Sequence, residues 1–326
     1  MFARTGYARL AWGTLGFNVL VILWGGLVRA TGSGAGCGSH WPLCNGEVVP
    51  RAPAVATLIE FSHRLTSGVA LLLIAVLVIG AWRGFPRGHP VRRGAALSGL
   101  FIISEALIGA GLVLLQLVAD NPSLARGVWV AGHLTNTFLL LASLTLTAWW
   151  ASGGGELRLR AAGAARASLA IALTGALLLG VSGAITALGD TLFPAATLAE
   201  AEAQTFSATA HLFVRLRVYH PSLAVAVGLG VVFAVLSVTT ARRNALTQRL
   251  GLGVIALYLL QCAIGLANVW FLAPVAIQIV HLFVSDLIWI TLVLFSASAL
   301  AEPVSTHAAI ATRQSPVASR ESRVAN

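Results

Sequence analysis

The chain has 326 residues, of which 57% are hydrophobic and only 10% are charged. A water-soluble domain carries roughly 25% charged residues, so the composition excludes a soluble globular protein. The formal net charge is +10, and every basic residue is an arginine. The arginines lie in the short gaps between apolar runs, which is typical of membrane topology and not of a nucleic-acid groove. We therefore expect no nucleic-acid partner.

Eight apolar runs, each long enough to cross a bilayer, predict eight transmembrane helices and an all-α integral membrane protein. The predicted spans are 10–29, 61–82, 95–118, 128–150, 166–188, 214–240, 250–272 and 276–300. The first run follows Arg4 and Arg9 as a signal sequence would, but it is longer than a usual signal core. It also has a counterpart in the repeat described below, so we interpret it as a retained helix.

Arginines are concentrated in alternate gaps: before the first span, in 83–94, in 151–166, in 241–249 and in the tail. The other gaps have fewer arginines and hold carboxylates. The positive-inside rule then places both termini in the cytoplasm and the loop RATGSGAGCGSHWPLCN (29–45) outside a cell membrane.

An internal repeat divides the chain into two halves. Four pairs of segments match at offsets of 148 to 157: 25–31 with 182–188, 61–73 with 218–230, 105–111 with 261–267, and 132–144 with 280–292. Parallel repeats of this kind are related by an axis along the membrane normal. We predict two pseudo-symmetric four-helix bundles, 1–150 and 151–300, and a polar, disordered tail over 301–326.

Four histidines occupy repeat-matched positions at the outer starts of the even-numbered spans: His63, His133, His220 and His281. Ionisable residues inside spans are costly and are by default functional. Zinc prefers four protein ligands, or three and a water, whereas haem iron has two axial positions that histidine commonly fills. One histidine on each of two facing helices, in apolar surroundings, therefore favours one haem iron in each half.

Arginines near these histidines are candidate partners for haem propionates, since the guanidinium fork suits carboxylates. They are Arg29, Arg64, Arg215 and Arg217. The alternative is that they are ordinary interfacial arginines with their charged ends in water.

Glu60 lies three residues before His63, on the same face of the second span. A carboxylate there can act as a general base or as an electrostatic partner of a substrate. Arg217 stands at the equivalent place in the second half, so the halves differ in chemistry. The asymmetry predicts one catalytic site and one electron-carrying site.

Other polar residues have weaker interpretations. Glu105, Gln261 and Asp286 are candidates for hydrogen bonds between helices. His211 is either a surface residue or an extra ligand. Three further histidines lie in loops and receive no role: His40, His89 and His307.

The motifs Arg-Ala-Thr-Gly-Ser-Gly-Ala-Gly-Cys (29–37), Trp-Pro-Leu-Cys-Asn-Gly (41–46) and Glu-Phe-Ser-His-Arg (60–64), with the later histidine-bearing helices, resemble bacterial haem A synthase. The resemblance covers about residues 10–300. The segment 38–40 departs from the Pro-Asp-Trp-Pro that is typical of the family.

The resemblance implies an eight-helix, two-bundle oxidoreductase that converts the C8 methyl of haem O to a formyl group, giving haem A by successive hydroxylations. It implies that His63 and His133 face the substrate haem and that His220 and His281 ligate haem b. Glu60 would be the catalytic carboxylate.

Cys37 and Cys44 match the extracellular cysteine pair of that family. In an oxidising compartment such a pair can close as a disulfide, with either a structural role or a role in redox chemistry or haem passage. A phosphate-binding loop is excluded because it requires a lysine. A zinc site would need more ligands than His40 supplies nearby, and Cys262 lies within the seventh span.

The resemblance also implies haem O synthase as the supplier of substrate and cytochrome c oxidase assembly as the destination of haem A, with an electron acceptor that we do not name. A dihaem electron-transfer cytochrome without catalysis is the alternative function. A transporter built from repeats would show glycine or proline breaks at mid-membrane, and the sequence has none of these.

Overall fold

A computed structural model describes residues 4–157, 163–241 and 244–301. Eight helices in these ranges are long and apolar enough to cross a membrane, which confirms the predicted fold class. The predicted disordered tail, apart from Ala301, lies outside the described residues. So do His307 and four arginines of the arginine-rich gaps 151–166 and 241–249: Arg158, Arg160, Arg242 and Arg243.

Ten α-helices lie within the described residues. They are α1 (Arg4–Ala30), α2 (Val55–Gly84), α3 (Pro90–Leu114), α4 (Leu124–Ala151), α5 (Gly163–Leu192), α6 (Leu198–Phe206), α7 (Leu212–Arg215), α8 (Tyr219–Ala241), α9 (Ala245–Trp270) and α10 (Val275–Leu300). Two short 3₁₀ helices, Ser33–Ala35 and Leu216–Val218, lie between them.

The helices begin earlier than the apolar runs that predict them. Helix α2 starts at Val55, and α4 starts at Leu124, where the side chain of Ser123 accepts a hydrogen bond from the N–H of Arg126. A capped first turn needs no apolar side chains, so hydropathy alone misses it. His63 and His133 therefore lie about 12 Å or more along their helices, and the expectation that they open them is wrong.

The sixth predicted span is one apolar run but not one regular helix. Helix α7 ends at Arg215, a 3₁₀ turn spans Leu216–Val218, and α8 starts at Tyr219. Pro221 lies in the first turn of α8, where its missing N–H and fixed φ are tolerated. His220 is therefore the one ligand candidate that lies at the start of a regular helix.

Helix α6 was not predicted. Thr197 accepts a hydrogen bond from the N–H of Glu200 at 3.1 Å, and the Glu200 carboxylate accepts one from the N–H of Ala196 at 2.8 Å. The pattern Thr-x-x-Glu is a known helix-start signal, so the sequence contained evidence for this helix.

Within each half of the chain, every membrane-spanning helix packs against two other helices of the same half. Helices α1 and α3 each pack against α2 and α4, while α5 and α9 each pack against α8 and α10. Helices α1 and α4 contact α5 and α10, which joins the halves. The twofold relation between the halves and the domain limits 1–150 and 151–300 stay predictions from the sequence.

An aromatic contact helps to fix α10 against α4, the two helices that carry His281 and His133. The indole N–H of Trp289 donates to the carbonyl of Phe138 at 2.7 Å, and the two rings stack with centroids 4.9 Å apart. Both side chains are buried, so this contact sets the relative position of two of the candidate ligand helices.

Candidate active site

Glu60 is buried, with 4% of its surface exposed, and both of its oxygens are bonded. Oε1 accepts from Nε and Nη2 of Arg64 at 3.1 and 2.5 Å, and Oε2 accepts from the backbone N–H of Cys37 at 2.8 Å. The pair is one helical turn apart on α2, a spacing that favours contact. The burial of a carboxylate is costly unless it is paired and hydrogen-bonded, and here both conditions are met.

The loop between α1 and α2 lies directly on this pair. Arg64 Nη1 donates to the carbonyls of His40 and Leu43, both at 2.7 Å. The Thr57 hydroxyl donates to the carbonyl of Gly36 at 2.7 Å. A Cβ atom on Gly36 would lie only 2.5 Å from the backbone of α2, so glycine is required for this close approach.

Cys37 and Cys44 form a disulfide, with Cα atoms 4.3 Å apart, and both residues are buried. This confirms the predicted pairing. Because both sulfurs are bonded to each other, the loop offers no thiolates, which excludes the zinc alternative at this place. Cys262 is the free cysteine of the described chain.

His63 lies on α2, one turn after Glu60, and its ring packs on α1. A Cβ atom on Gly25 would lie 3.0 Å from Cε1 of His63. His63 lies on α2 and His133 on α4, and both helices pack against α1 and α3. The two histidines expected to face one ligand therefore lie on two helices of the same half.

Behind His133 lies a carboxylate whose position the sequence did not reveal. Oε1 of Glu105 lies 3.3 Å from Nδ1 of His133. Glu105 also accepts hydrogen bonds from the Thr137 hydroxyl and from Nδ2 of Asn136, both at 2.5 Å. The prediction of a hydrogen bond between α3 and α4 is confirmed, and the contact with His133 adds to it.

The repeat-matched histidines of the second half are His220 on α8 and His281 on α10, and both helices pack against α5 and α9. Nδ1 of His220 lies 2.8 Å from the Ser182 hydroxyl. A Cβ atom on Gly183 would lie 3.0 Å from Cε1 of His220, and one on Gly265 would lie 3.3 Å from Cε1 of His281. Both rings therefore lie against small residues on neighbouring helices, as His63 does.

Gln261 aligns with Glu105 in the sequence repeat, but its contact differs. Its Nε2 donates to the backbone carbonyl of His281 at 3.0 Å. This confirms a hydrogen bond between α9 and α10. The ring of His281 receives no carboxylate from this residue.

Three of the four arginines that the sequence offered for propionates bind protein acceptors: Arg64, described above, Arg29 and Arg217. Arg29 donates to the Ala187 carbonyl, the Thr191 hydroxyl and Oε1 of Gln278, at 2.8 to 2.9 Å. These bonds connect α1 with α5 and α10.

Arg217 has a similar set of partners in the second half. Its Nε lies 2.8 Å from Oδ1 of Asp190, and its Nη2 donates to the carbonyls of Gly189 and Phe193. Arg215 is exposed at the end of α7.

Asp286 does not serve as a hydrogen-bond bridge between helices. It is 0% exposed, and in the described part of the chain neither carboxylate oxygen has a hydrogen-bond partner. The interpretation from the sequence is therefore wrong for this residue. Its neighbour by one turn, Trp289, makes the bond to α4 instead.

His211 has a structural role at the start of α7. Its Nδ1 accepts a hydrogen bond from the N–H of Phe213 at 3.3 Å, and its ring stacks on Phe193 with centroids 4.9 Å apart. The structure therefore gives this residue a helix-capping role, in place of the surface residue or extra ligand that the sequence suggested.

The four candidate ligand histidines fit haem better than they fit a protein-bound metal ion. Among the described residues no group of three or more His, Cys, Asp or Glu side chains could hold a metal ion. The Nδ1 atoms of His63, His133 and His281 are buried without a hydrogen-bond partner in the described ranges. Imidazoles on the helices of an apolar bundle, three of them set against glycines, suit the axial positions of haem iron.

Comparison with known proteins gives the chain a family. The model of the COX15-CtaA family, described as cytochrome oxidase assembly protein, matches residues 8–293. A Thermus thermophilus protein named protoheme IX farnesyltransferase is 54% identical over 293 residues, which is 90% of this chain and 48% of that protein. The chain thus spans about half the length of this relative.

Shorter matches carry the name of the enzyme family that the motifs resemble. Proteins named heme A synthase from Halalkalibacterium halodurans and Bacillus cereus are both 47% identical over 95 residues. These matches cover 29% of this chain and 32% and 30% of the two relatives. The family model covers nearly all of the membrane part, and the chain belongs to the COX15-CtaA family of cytochrome oxidase assembly proteins.

Proposed function

We propose that the chain is a haem A synthase, which oxidises the C8 methyl group of haem O to a formyl group by successive hydroxylations. The observation that carries the proposal is the buried Glu60–Arg64 pair beneath the disulfide loop, one turn from His63. In the second half the matched position holds Arg217, whose carboxylate partner Asp190 lies on a different helix, α5. The relatives named heme A synthase support the same activity.

When water supplies the oxygen atom, each hydroxylation releases two electrons and two protons. A site for this chemistry needs a proton acceptor next to the reacting carbon. Glu60 is suited to this because Arg64 and the Cys37 N–H hold its carboxylate in one orientation. A positioned general base contributes typically 10² to 10⁴ in rate. His63 and His133 would orient the substrate haem from two helices.

We propose that electrons leave through the second half, where His220 and His281 would hold haem b. That group, when bound, supplies a one-electron carrier. The Ser182 hydroxyl fixes the ring of His220 for this task.

Arg64 and Arg217 remain proposed contacts of the haem propionates. Arg64 makes four hydrogen bonds to protein acceptors, which leaves one of its five N–H groups for a ligand. Arg217 uses Nε and Nη2 in the protein, and Nη1 is the group that could reach a ligand.

The partners follow from the substrate and the product. About half of the Thermus relative lies outside the match, and we propose that its name, protoheme IX farnesyltransferase, belongs to that half. A haem O synthase would then supply this chain's substrate. The product would go to cytochrome oxidase assembly, as the family description suggests. We place the chain in the cell membrane, with cytoplasmic termini and the disulfide loop outside.

The test is extraction and chromatography of the haems from membranes that contain the protein and a source of haem O. We expect haem A with the natural chain. With Glu60→Gln, which keeps the shape but removes the charge, we expect haem O to accumulate and haem A formation to fall by about 100-fold or more.

A dihaem electron-transfer cytochrome is the alternative, and the same experiment separates the two. That protein would hold two haems tightly, would form no haem A, and would be unaffected by Glu60→Gln. Detection of haem B alone, with the chain correctly inserted, would contradict the synthase.

A further inference from the structure

The two halves differ in what lies behind their ligand histidines. In the first half, Oε1 of Glu105 lies 3.3 Å from Nδ1 of His133. In the second half, the matched residue Gln261 donates to the carbonyl of His281. Within the residues that the structure describes, neither Nδ1 makes a hydrogen bond, but that of His133 faces the Glu105 carboxylate at 3.3 Å.

The carboxylate of Glu105 is held in place. The Thr137 hydroxyl donates to Oε1, and Nδ2 of Asn136 donates to Oε2, both at 2.5 Å. Nδ2 of Asn136 is itself fixed by the carbonyl of Phe101 at 2.9 Å. Such a network spans α3 and α4 and leaves the carboxylate one orientation relative to the imidazole.

A histidine that binds iron through one ring nitrogen commonly donates its other N–H to an acceptor, which fixes the ring and makes it a stronger ligand. A carboxylate is a stronger acceptor than a neutral group because its hydrogen bonds are charge-assisted. A stronger imidazole donor favours the ferric state. The iron beside His133 should therefore have a lower reduction potential than the iron beside His281.

We propose that Glu105 is a positioning residue that orients His133 and lowers the reduction potential of the haem iron in the first half relative to the second. The inference rests on the proposed function, since it takes these histidines as haem ligands. Its consequence is directional: electrons released in the first half move to the site of higher potential in the second half.

The test is a spectroelectrochemical measurement on the purified full chain loaded with haem B, which serves as the probe for both halves. The variants are Glu105→Gln and, as a matched control, Ser98→Ala. The Ser98 hydroxyl on α3 also donates a hydrogen bond to α4, to the Ser143 hydroxyl at 3.0 Å. This bond includes no ligand histidine. A His220→Ala background assigns the signals to the two halves.

We expect Glu105→Gln to raise the midpoint potential of the first-half haem and to shift its absorption spectrum, while the second-half haem stays unchanged. Ser98→Ala should change the midpoint potential of neither haem. Glu105→Asp keeps the charge but moves it one methylene away from His133, so it should raise the midpoint potential by less. This second variant keeps the inference testable if Glu105→Gln fails to fold.

An unchanged potential in Glu105→Gln, or an equal shift in Ser98→Ala, overturns the inference and leaves only a structural hydrogen bond. If the first half takes up no haem, the inference and the proposed ligation both fail. If the expected shift is observed but haem A never forms from haem O, the inference stands and only the proposed synthase activity fails.

Discussion

At the scale of single residues, glycines decide how closely the helices approach the candidate ligands. Gly25 and Gly183 each lie against the ring of a histidine, and an added Cβ atom would lie 3.0 Å from that ring in both cases. A contact this short forces the imidazole to move. Because axial ligation requires a defined ring orientation, these two glycines control one site each.

Gly25→Ala is therefore expected to weaken haem binding in the first half and to spare the second, and Gly183→Ala to do the reverse. The measurement is the haem content of the purified chain, by absorption spectroscopy. Gly16→Ala is the control, because it lies on the same helix as Gly25 and its Cβ would meet nothing within 4 Å. Equal haem loss in both halves from Gly25→Ala would contradict the assignment.

At the scale of elements, the disulfide loop and α2 act as one unit. Arg64 fixes the carbonyls of His40 and Leu43 and also binds Glu60, so the same guanidinium orders the loop and the carboxylate. The backbone N–H of Cys37 completes the contact. The loop therefore contributes directly to the geometry around Glu60.

Arg64→Leu should loosen the loop and speed reduction of the buried disulfide. Hydrogen bonds to a charged group are worth about 1.5–3 kcal/mol each, so losing even one corresponds to about tenfold more opening. The measurement is alkylation of Cys37 and Cys44 after a water-soluble reductant, in a Cys262→Ser background.

The control for this experiment is Arg51→Leu. Arg51 lies in the same loop region, with its side chain 92% exposed, and pairs only loosely with Glu47 at 3.7 Å. Its removal should leave the reduction rate unchanged. A similar rate in both variants would show that the Arg64 bonds do not hold the loop.

At the scale of the whole molecule, one partly buried arginine in the last turn of α1 ties the two halves together. Arg29 on α1 binds Ala187 and Thr191 on α5 and Gln278 on α10. The aromatic pair Phe138 and Trp289 joins the halves at another position. The relative placement of the two sites depends on these contacts.

Arg29→Leu introduces an apolar side chain that a membrane helix accommodates, but it removes three hydrogen bonds between the halves. We expect a loss of about 3 kcal/mol in unfolding free energy and a lower melting temperature in detergent. Circular dichroism during heating measures it. Arg249→Leu, at an exposed arginine on α9, is the control, and equal melting temperatures for the two variants would show that Arg29 does not hold the halves together.

The amino-acid sequence determined the membrane class, the eight spans and the candidate ligands His63, His133, His220 and His281, because length and hydropathy are local properties. It also indicated Glu60 and the cysteine pair by spacing and motif. The repeat aligns Glu60 with Arg217, and Glu105 with Gln261, in the sequence alone.

Only the tertiary structure decided which polar groups meet. Arg29 and Gln278 are 249 residues apart, and the Cys37 N–H and the Glu60 carboxylate are 23 apart across a loop. No helical period predicts such contacts, since they depend on how the helices pack and on the path of the loops. For the same reason Asp286 was expected to bridge helices and instead lies buried without a hydrogen-bond partner in the described ranges.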